Sequence, residues 1–142
     1  VRAALPPVAL VALTALLSLA GCPGPSAPAT CEADTDCGGD VCARDGECLP
    51  ASEIRGVKVT WTIGGKPADA TSCATAPEFY IDFYGTYAAA SFGYAPVPCM
   101  QSQFFIDKLP ISFDQVELGA TGVFDHIKRI DNTNAAAFDL TL

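Results

Sequence analysis

The chain has 142 residues, of which half are hydrophobic, and carries 16 Asp and Glu against 8 Lys and Arg, for a formal net charge of −8. That balance has the wrong sign for nucleic acid and for a polybasic contact with anionic lipid, and neither is expected as a partner. Seven cysteines in so short a chain point to an oxidising compartment.

Residues 8–20 are apolar apart from Thr14 and Ser18. This run is short of the roughly 18 residues that a membrane-spanning helix needs and suits the apolar centre of an export signal. One charge, Arg2, precedes it, and the small residues Ala20 and Gly21 end it before Cys22. The prolines at 23, 25 and 28 cannot continue a helix. The tetrapeptide Leu19-Ala20-Gly21-Cys22 resembles a bacterial lipobox. The resemblance implies that residues 1–21 are a lipoprotein signal peptide and that Cys22 is lipidated. One acyl chain binds a bilayer only reversibly, and the two or three of a lipoprotein hold it stably. Pro23, where an inner-membrane retention signal has Asp, favours the outer membrane of a diderm bacterium. Residues 22–30 then form a Pro-rich tether with no core of its own.

With Cys22 set aside, six cysteines remain, an even number that suits three disulfides. Four of them lie in residues 31–50 with the spacing C-x5-C-x4-C-x5-C. This stretch has little to bury beyond Val41 and Leu49, so disulfides must hold it, each worth about 2–4 kcal/mol. Structural zinc wants closer cysteine pairs than gaps of five, four and five. Asp34, Asp36, Asp40, Asp45 and Glu47 offer oxygens, but a calcium loop begun at Asp34 places Gly38 at its fifth position and Asp45 at its twelfth. Neither metal is expected. The segment resembles the short Cys-rich repeats, related to the Dickkopf N-terminal type, of exported bacterial lipoproteins. With that resemblance the expected pairing is Cys31–Cys42 and Cys37–Cys48; the nested pairing Cys31–Cys48 with Cys37–Cys42 stays open.

Residues 54–142 read as strands. Val57, Val59, Trp61 and Ile63 alternate with Lys58, Thr60 and Thr62, and Gly64-Gly65-Lys66-Pro67 closes the run. Phe79–Tyr84 forms a second strand. Further strands are expected at Ala88–Phe92, Gln103–Ile106, Gln115–Leu118, Val123–Ile130 and Ala137–Leu142. About seven short strands with Gly and Pro between them suggest an all-β chain, a disulfide-rich knot followed by an antiparallel β-sandwich. Cys73 and Cys99 are expected to staple an early strand to a middle one. Trp61 precedes both, unlike the immunoglobulin arrangement. Val59–Ile63 with Gly65-Lys66-Pro67, Phe105–Pro110 and Val116-Glu117-Leu118 resemble the small transthyretin-like or carboxypeptidase-regulatory-like domains, with Ile111-Ser112-Phe113 in place of the family's Gly and Tyr after Leu-Pro. That resemblance implies a non-enzymatic module.

No motif of chemistry stands out. The single histidine, His126, follows Asp125, but no Gly-x-Ser-x-Gly elbow is present, nor a phosphate loop or dinucleotide fingerprint. No catalytic residue, metal or cofactor is expected. If Phe79, Ile81 and Phe83 face inward, Tyr80, Asp82 and Tyr84 face outward together. Exposed tyrosines beside an acid suit a protein or glycan contact. The expected function is that of a non-enzymatic, membrane-anchored envelope lipoprotein that binds or assembles protein or glycan. The alternatives are a spacer or accessory subunit of an envelope complex and a small hydrolase.

Overall fold

The computed structural model describes residues 30–86 and 91–142. The signal segment, Cys22 and nearly all of the tether lie outside the described residues. Ten strands follow in chain order: β1 Val41–Cys42, β2 Cys48–Leu49, β3 Ile54–Ile63, β4 Lys66–Pro67, β5 Glu78–Tyr84, β6 Ser91–Pro98, β7 Gln103–Pro110, β8 Gln115–Ala120, β9 Phe124–Arg129 and β10 Ala135–Leu140. Three short 3-10 turns are the only helical pieces among the described residues, and none of them is long and apolar enough to cross a membrane. The chain is all-β, a disulfide-rich knot followed by a β-sandwich.

The knot pairs β1 with β2 antiparallel. Cys31 is bonded to Cys42 and Cys37 to Cys48. This is the staggered pairing, not the nested one. Asp34 accepts the backbone N–H of Cys42 at 3.0 Å, and Asp36 accepts those of Glu32 and Ala33, each at 3.0 Å. Asp36 closes a local turn, as Asp does where a short side chain can reach nearby backbone donors, and Asp34 ties the first 3-10 turn to β1.

In the sandwich, one sheet places β3 between β10 on one side and β7 with β4 on the other; the second has the order β6-β5-β8-β9. Gly64 and Gly65, with φ of 57° and 73°, make the two-residue hairpin between β3 and β4, a turn that needs positive φ at both positions. Val57, Val59 and Trp61 of β3 meet Phe79, Ile81 and Phe83 of β5 and Val116 and Leu118 of β8 in one core. Trp61 and Phe79 touch edge to face across the sheets, with ring centroids 5.7 Å apart.

Every expected strand has a counterpart, with shifts of a few residues at several ends; the last strand, expected to run to Leu142, ends at Leu140, and two differences are larger. The strand expected at Ala88–Phe92 is observed as Ser91–Pro98, and residues 88–90 lie outside the described residues. It continues through Pro96 and Pro98 because β6 is an edge strand, where a missing N–H leaves no ladder bond unmade. The last strand, β10, pairs with β3 in parallel, the one departure from an antiparallel sandwich. The chain crosses from one sheet to the other between β9 and β10, and a crossover is free of the hairpin constraint that imposes antiparallel pairing.

Cys73 and Cys99 are bonded and both are buried. Trp61 Nε1–H donates to the Cys99 carbonyl at 2.7 Å. The tryptophan that precedes both cysteines in sequence therefore sits on their bridge in space.

Candidate functional site

The outer face of the second sheet holds the residues that the alternation of β5 turns away from the core. Phe79, Ile81 and Phe83 are buried, so Tyr80, Asp82 and Tyr84 project together from the opposite side. Across β8, Tyr80 lies opposite Gly119, Asp82 opposite Glu117 and Tyr84 opposite Gln115. Glu117 is the diagonal neighbour of both tyrosines, within the reach of long side chains on one sheet face. Tyr80 O–H donates to Glu117 Oε1 at 2.7 Å and Tyr84 O–H to Oε2 at 2.8 Å. One carboxylate thus fixes two phenol rings, each at one of its oxygens.

Two glycines make room for this arrangement. A methyl group at Gly119 would overlap the Tyr80 ring, and one at Gly93, opposite Asp82 on β6, would overlap the Asp82 carboxylate. The tyrosine and the aspartate lie over bare backbone, held by neighbours on strands rather than by loops.

The electrostatics follow from the crowding of acids. The hydrogen bond to Glu117, followed by burial and the neighbouring negative charge, pushes the Tyr84 hydroxyl up to about 12. The same causes in the same order raise Tyr80, with Asp125 and Asp82 adding to them. Burial, then the facing Glu117, raises Asp82 above the ordinary carboxylate range. The face therefore presents neutral phenols and closely spaced carboxylates, a surface suited to hydroxyl, amide or cationic groups. Beside it, Tyr80 borders a shallow groove of about 260 Å³ with Gly122, Val123, Phe124 and Asp125. Its other side borders one of about 160 Å³ with Glu78, Ala95, Pro96 and Thr121.

The residues weighed for chemistry and set aside do not converge or are otherwise engaged. His126 and Asp125 are neighbours in β9 and so point to opposite faces of the sheet. The His126 ring lies against Phe124, with centroids 5.6 Å apart. In the knot, the sulfurs of Cys31, Cys37 and Cys42 lie within 4.8 Å of one another, and each of these cysteines is in a disulfide. The oxygens of Asp34 receive Lys108 Nζ at 2.7 and 2.9 Å.

Two features were missed in the sequence reading. Glu117 is the hub of the tyrosine pair, and its only sequence signal is its outward place in Val116-Glu117-Leu118. The docking of the knot on β7 is the other: Arg44 Nε donates to Asp107 Oδ1 at 2.6 Å, Lys108 pairs with Asp34, and the Arg44 N–H donates to the Lys108 carbonyl at 3.1 Å. Comparison with family models, curated proteins and solved structures gives no match.

Proposed function

We propose that this chain is a non-catalytic lipoprotein of the cell envelope, anchored through Cys22 in the outer membrane, and that it binds a protein or glycan partner through the outer face of β5 and β8. The observation that carries the reading is the pair Tyr80 and Tyr84, both fixed on Glu117 with Asp82 between them. A contact surface that is rigid before binding loses less side-chain freedom when a partner arrives. Tyrosine suits such a surface because it offers apolar area and a hydroxyl on two rotatable bonds. The address rests on Leu19-Ala20-Gly21-Cys22 and the apolar run before it. The likeness of the Cys-rich segment to repeats of exported lipoproteins, and of the sandwich to small non-enzymatic domains, supports the same reading.

The test is capture from cross-linked cells and binding to envelope glycan fragments, comparing the native chain with Tyr80→Ala/Tyr84→Ala and with Cys22→Ala. The double tyrosine variant is expected to bind about tenfold or more weakly, the loss typical of aromatic anchors, while still melting as a folded protein. Cys22→Ala is expected to leave the membrane fraction. Equal capture by the native chain and the tyrosine variant would turn the reading towards a spacer.

A further inference from the structure

We propose that β9 is a self-association edge: two copies of this chain pair their β9 strands antiparallel, Ile127 against Ile127, and join two four-stranded sheets into one. The proposal is independent of the partner-binding reading, since it rests on a different strand and a different observation.

The first argument is the state of the edge. Apart from Phe124, every residue of β9 is exposed, and Ile127 is exposed to 59%. An exposed edge strand is a template for another strand unless something blocks it. The edges at β6, β10 and β7 carry such blocks, and on β9 itself the one lysine, Lys128, is drawn inward to β10. β6 contains Pro96 and Pro98, which have no N–H. On β10 the Ala137 carbonyl accepts Lys128 Nζ at 2.5 Å. On β7 the Lys108 carbonyl accepts the Arg44 N–H of the knot at 3.1 Å.

The second argument is register. Ile130 donates its N–H to the Asp114 carbonyl at 2.9 Å, continuing the β8–β9 register that pairs Gln115 with Arg129. In an antiparallel ladder, backbone groups turn towards a given neighbour at every second residue. The even-numbered residues of β9 therefore face β8, and Asp125, Ile127 and Arg129 turn their N–H and C=O to the open side. Their side chains share the outer face of the sheet.

The third argument is charge. A two-fold axis at Ile127 sets Asp125 opposite Arg129 of the second copy and Arg129 opposite its Asp125. Two ion pairs then flank one apolar pair, all between residues whose backbone groups point at each other. Opposite charges directly across strands favour pairing, and like charges oppose it. A slip of two residues sets Asp125 against Ile127 and removes both ion pairs. Among the described residues Arg129 has one competing partner within its own chain, Asp114 at 3.6 Å, and it is largely exposed. Since the axis stands perpendicular to the sheet, both Tyr80–Glu117–Tyr84 clusters come to lie on one side of the joined sheet. One six-residue strand from each copy makes a small interface, of the transient class, so the dimer is concentration-dependent.

The experiment uses the full chain carrying Cys22→Ala, so that no acyl chain drives association. Sedimentation and amide exchange are measured over a concentration series. The parent is expected to dimerise with rising concentration and to gain protection at the Ile127 and Arg129 amides. Asp125→Arg and Arg129→Asp each set like charges opposite one another twice, and each alone is expected to weaken the homodimer by about ten- to hundredfold. Mixed in equal amounts, the two variants restore opposite charges at both places and are expected to form a heterodimer. A parent that stays monomeric throughout overturns the proposal. So does a dimer that is indifferent to both substitutions, and so does protection of β9 that is independent of concentration, which would mean that the chain covers its own edge. The exchange measurement needs neither charge substitution and decides the matter if either of them impairs folding.

Discussion

Removing the Cys73–Cys99 bridge tests how the two parts of the chain share stability. The bridge closes a loop with a sequence separation of 26, for which loop-closure entropy gives about 3.5 kcal/mol of stabilisation. In a domain of this size that corresponds to a fall in melting temperature of roughly 15–25 °C for Cys73→Ala/Cys99→Ala. The knot should behave differently. It is tied to the sandwich by Arg44–Asp107 and Lys108–Asp34, whose side chains are between a third and a half exposed, and by one backbone hydrogen bond. Ion pairs so exposed are screened by solvent and contribute little, and one backbone hydrogen bond contributes about 1 kcal/mol, so losing the whole knot should cost the sandwich far less than losing the bridge. Trp61 is the single tryptophan and is buried in the sandwich against the Cys99 carbonyl, so its fluorescence during heating reports the sandwich alone. The expected result is a large shift for Cys73→Ala/Cys99→Ala and a small one when all four knot cysteines are replaced by alanine. Equal shifts would refute the division into a knot and an independently stable sandwich. A bridge variant that melts within a few degrees of the parent would refute the staple.

The tyrosine cluster makes a second prediction. In Glu117→Gln, Tyr84 should ionise nearer the ordinary tyrosine value of about 10 instead of about 12, read as phenolate absorbance against pH; an unchanged titration would refute the role given to Glu117. Because the folded-state value is raised, the stabilisation from this bond is complete below the ordinary value and is lost as the pH rises through about 12. The parent should therefore lose more stability than the variant over that alkaline window. Gly119→Ala should push the Tyr80 ring off Glu117, lower the Tyr80 ionisation while leaving that of Tyr84, and cost about 1–3 kcal/mol through overpacking; an unaltered Tyr80 titration counts against the packing described. Deleting the last four residues removes Leu140, which is 1% exposed, and with it about 1.5–3 kcal/mol of burial; an unchanged melting temperature would show that β10 does not close the sheet.

Most of the sandwich was legible in the alternation of Val57, Val59 and Trp61, of Phe79, Ile81 and Phe83, and of Phe138 and Leu140. A half-buried strand writes its two faces directly into every second residue. The outward group Tyr80, Asp82 and Tyr84 followed from the same rule. Glu117 did not, because its contact with both tyrosines depends on β8 lying beside β5, and pairing between distant segments is not encoded within either one. The parallel pairing of β10 was hidden for the same reason: local pattern identifies a strand but not the direction of its neighbour.

By itself the sequence determined that the chain is all-β, that its cysteines divide into a polar knot and a separate staple, and which side of β5 meets solvent. These depend on burial and chain entropy acting over a few residues, where composition and spacing suffice. Only the tertiary structure decided that Trp61 rests on the Cys99 carbonyl, that Glu117 holds two tyrosines, that Lys108 and Asp107 receive the knot, and that Asp125, Ile127 and Arg129 turn their backbone groups to an open edge. Each of these depends on register between segments far apart in the chain, and register is set by the packing of the whole core.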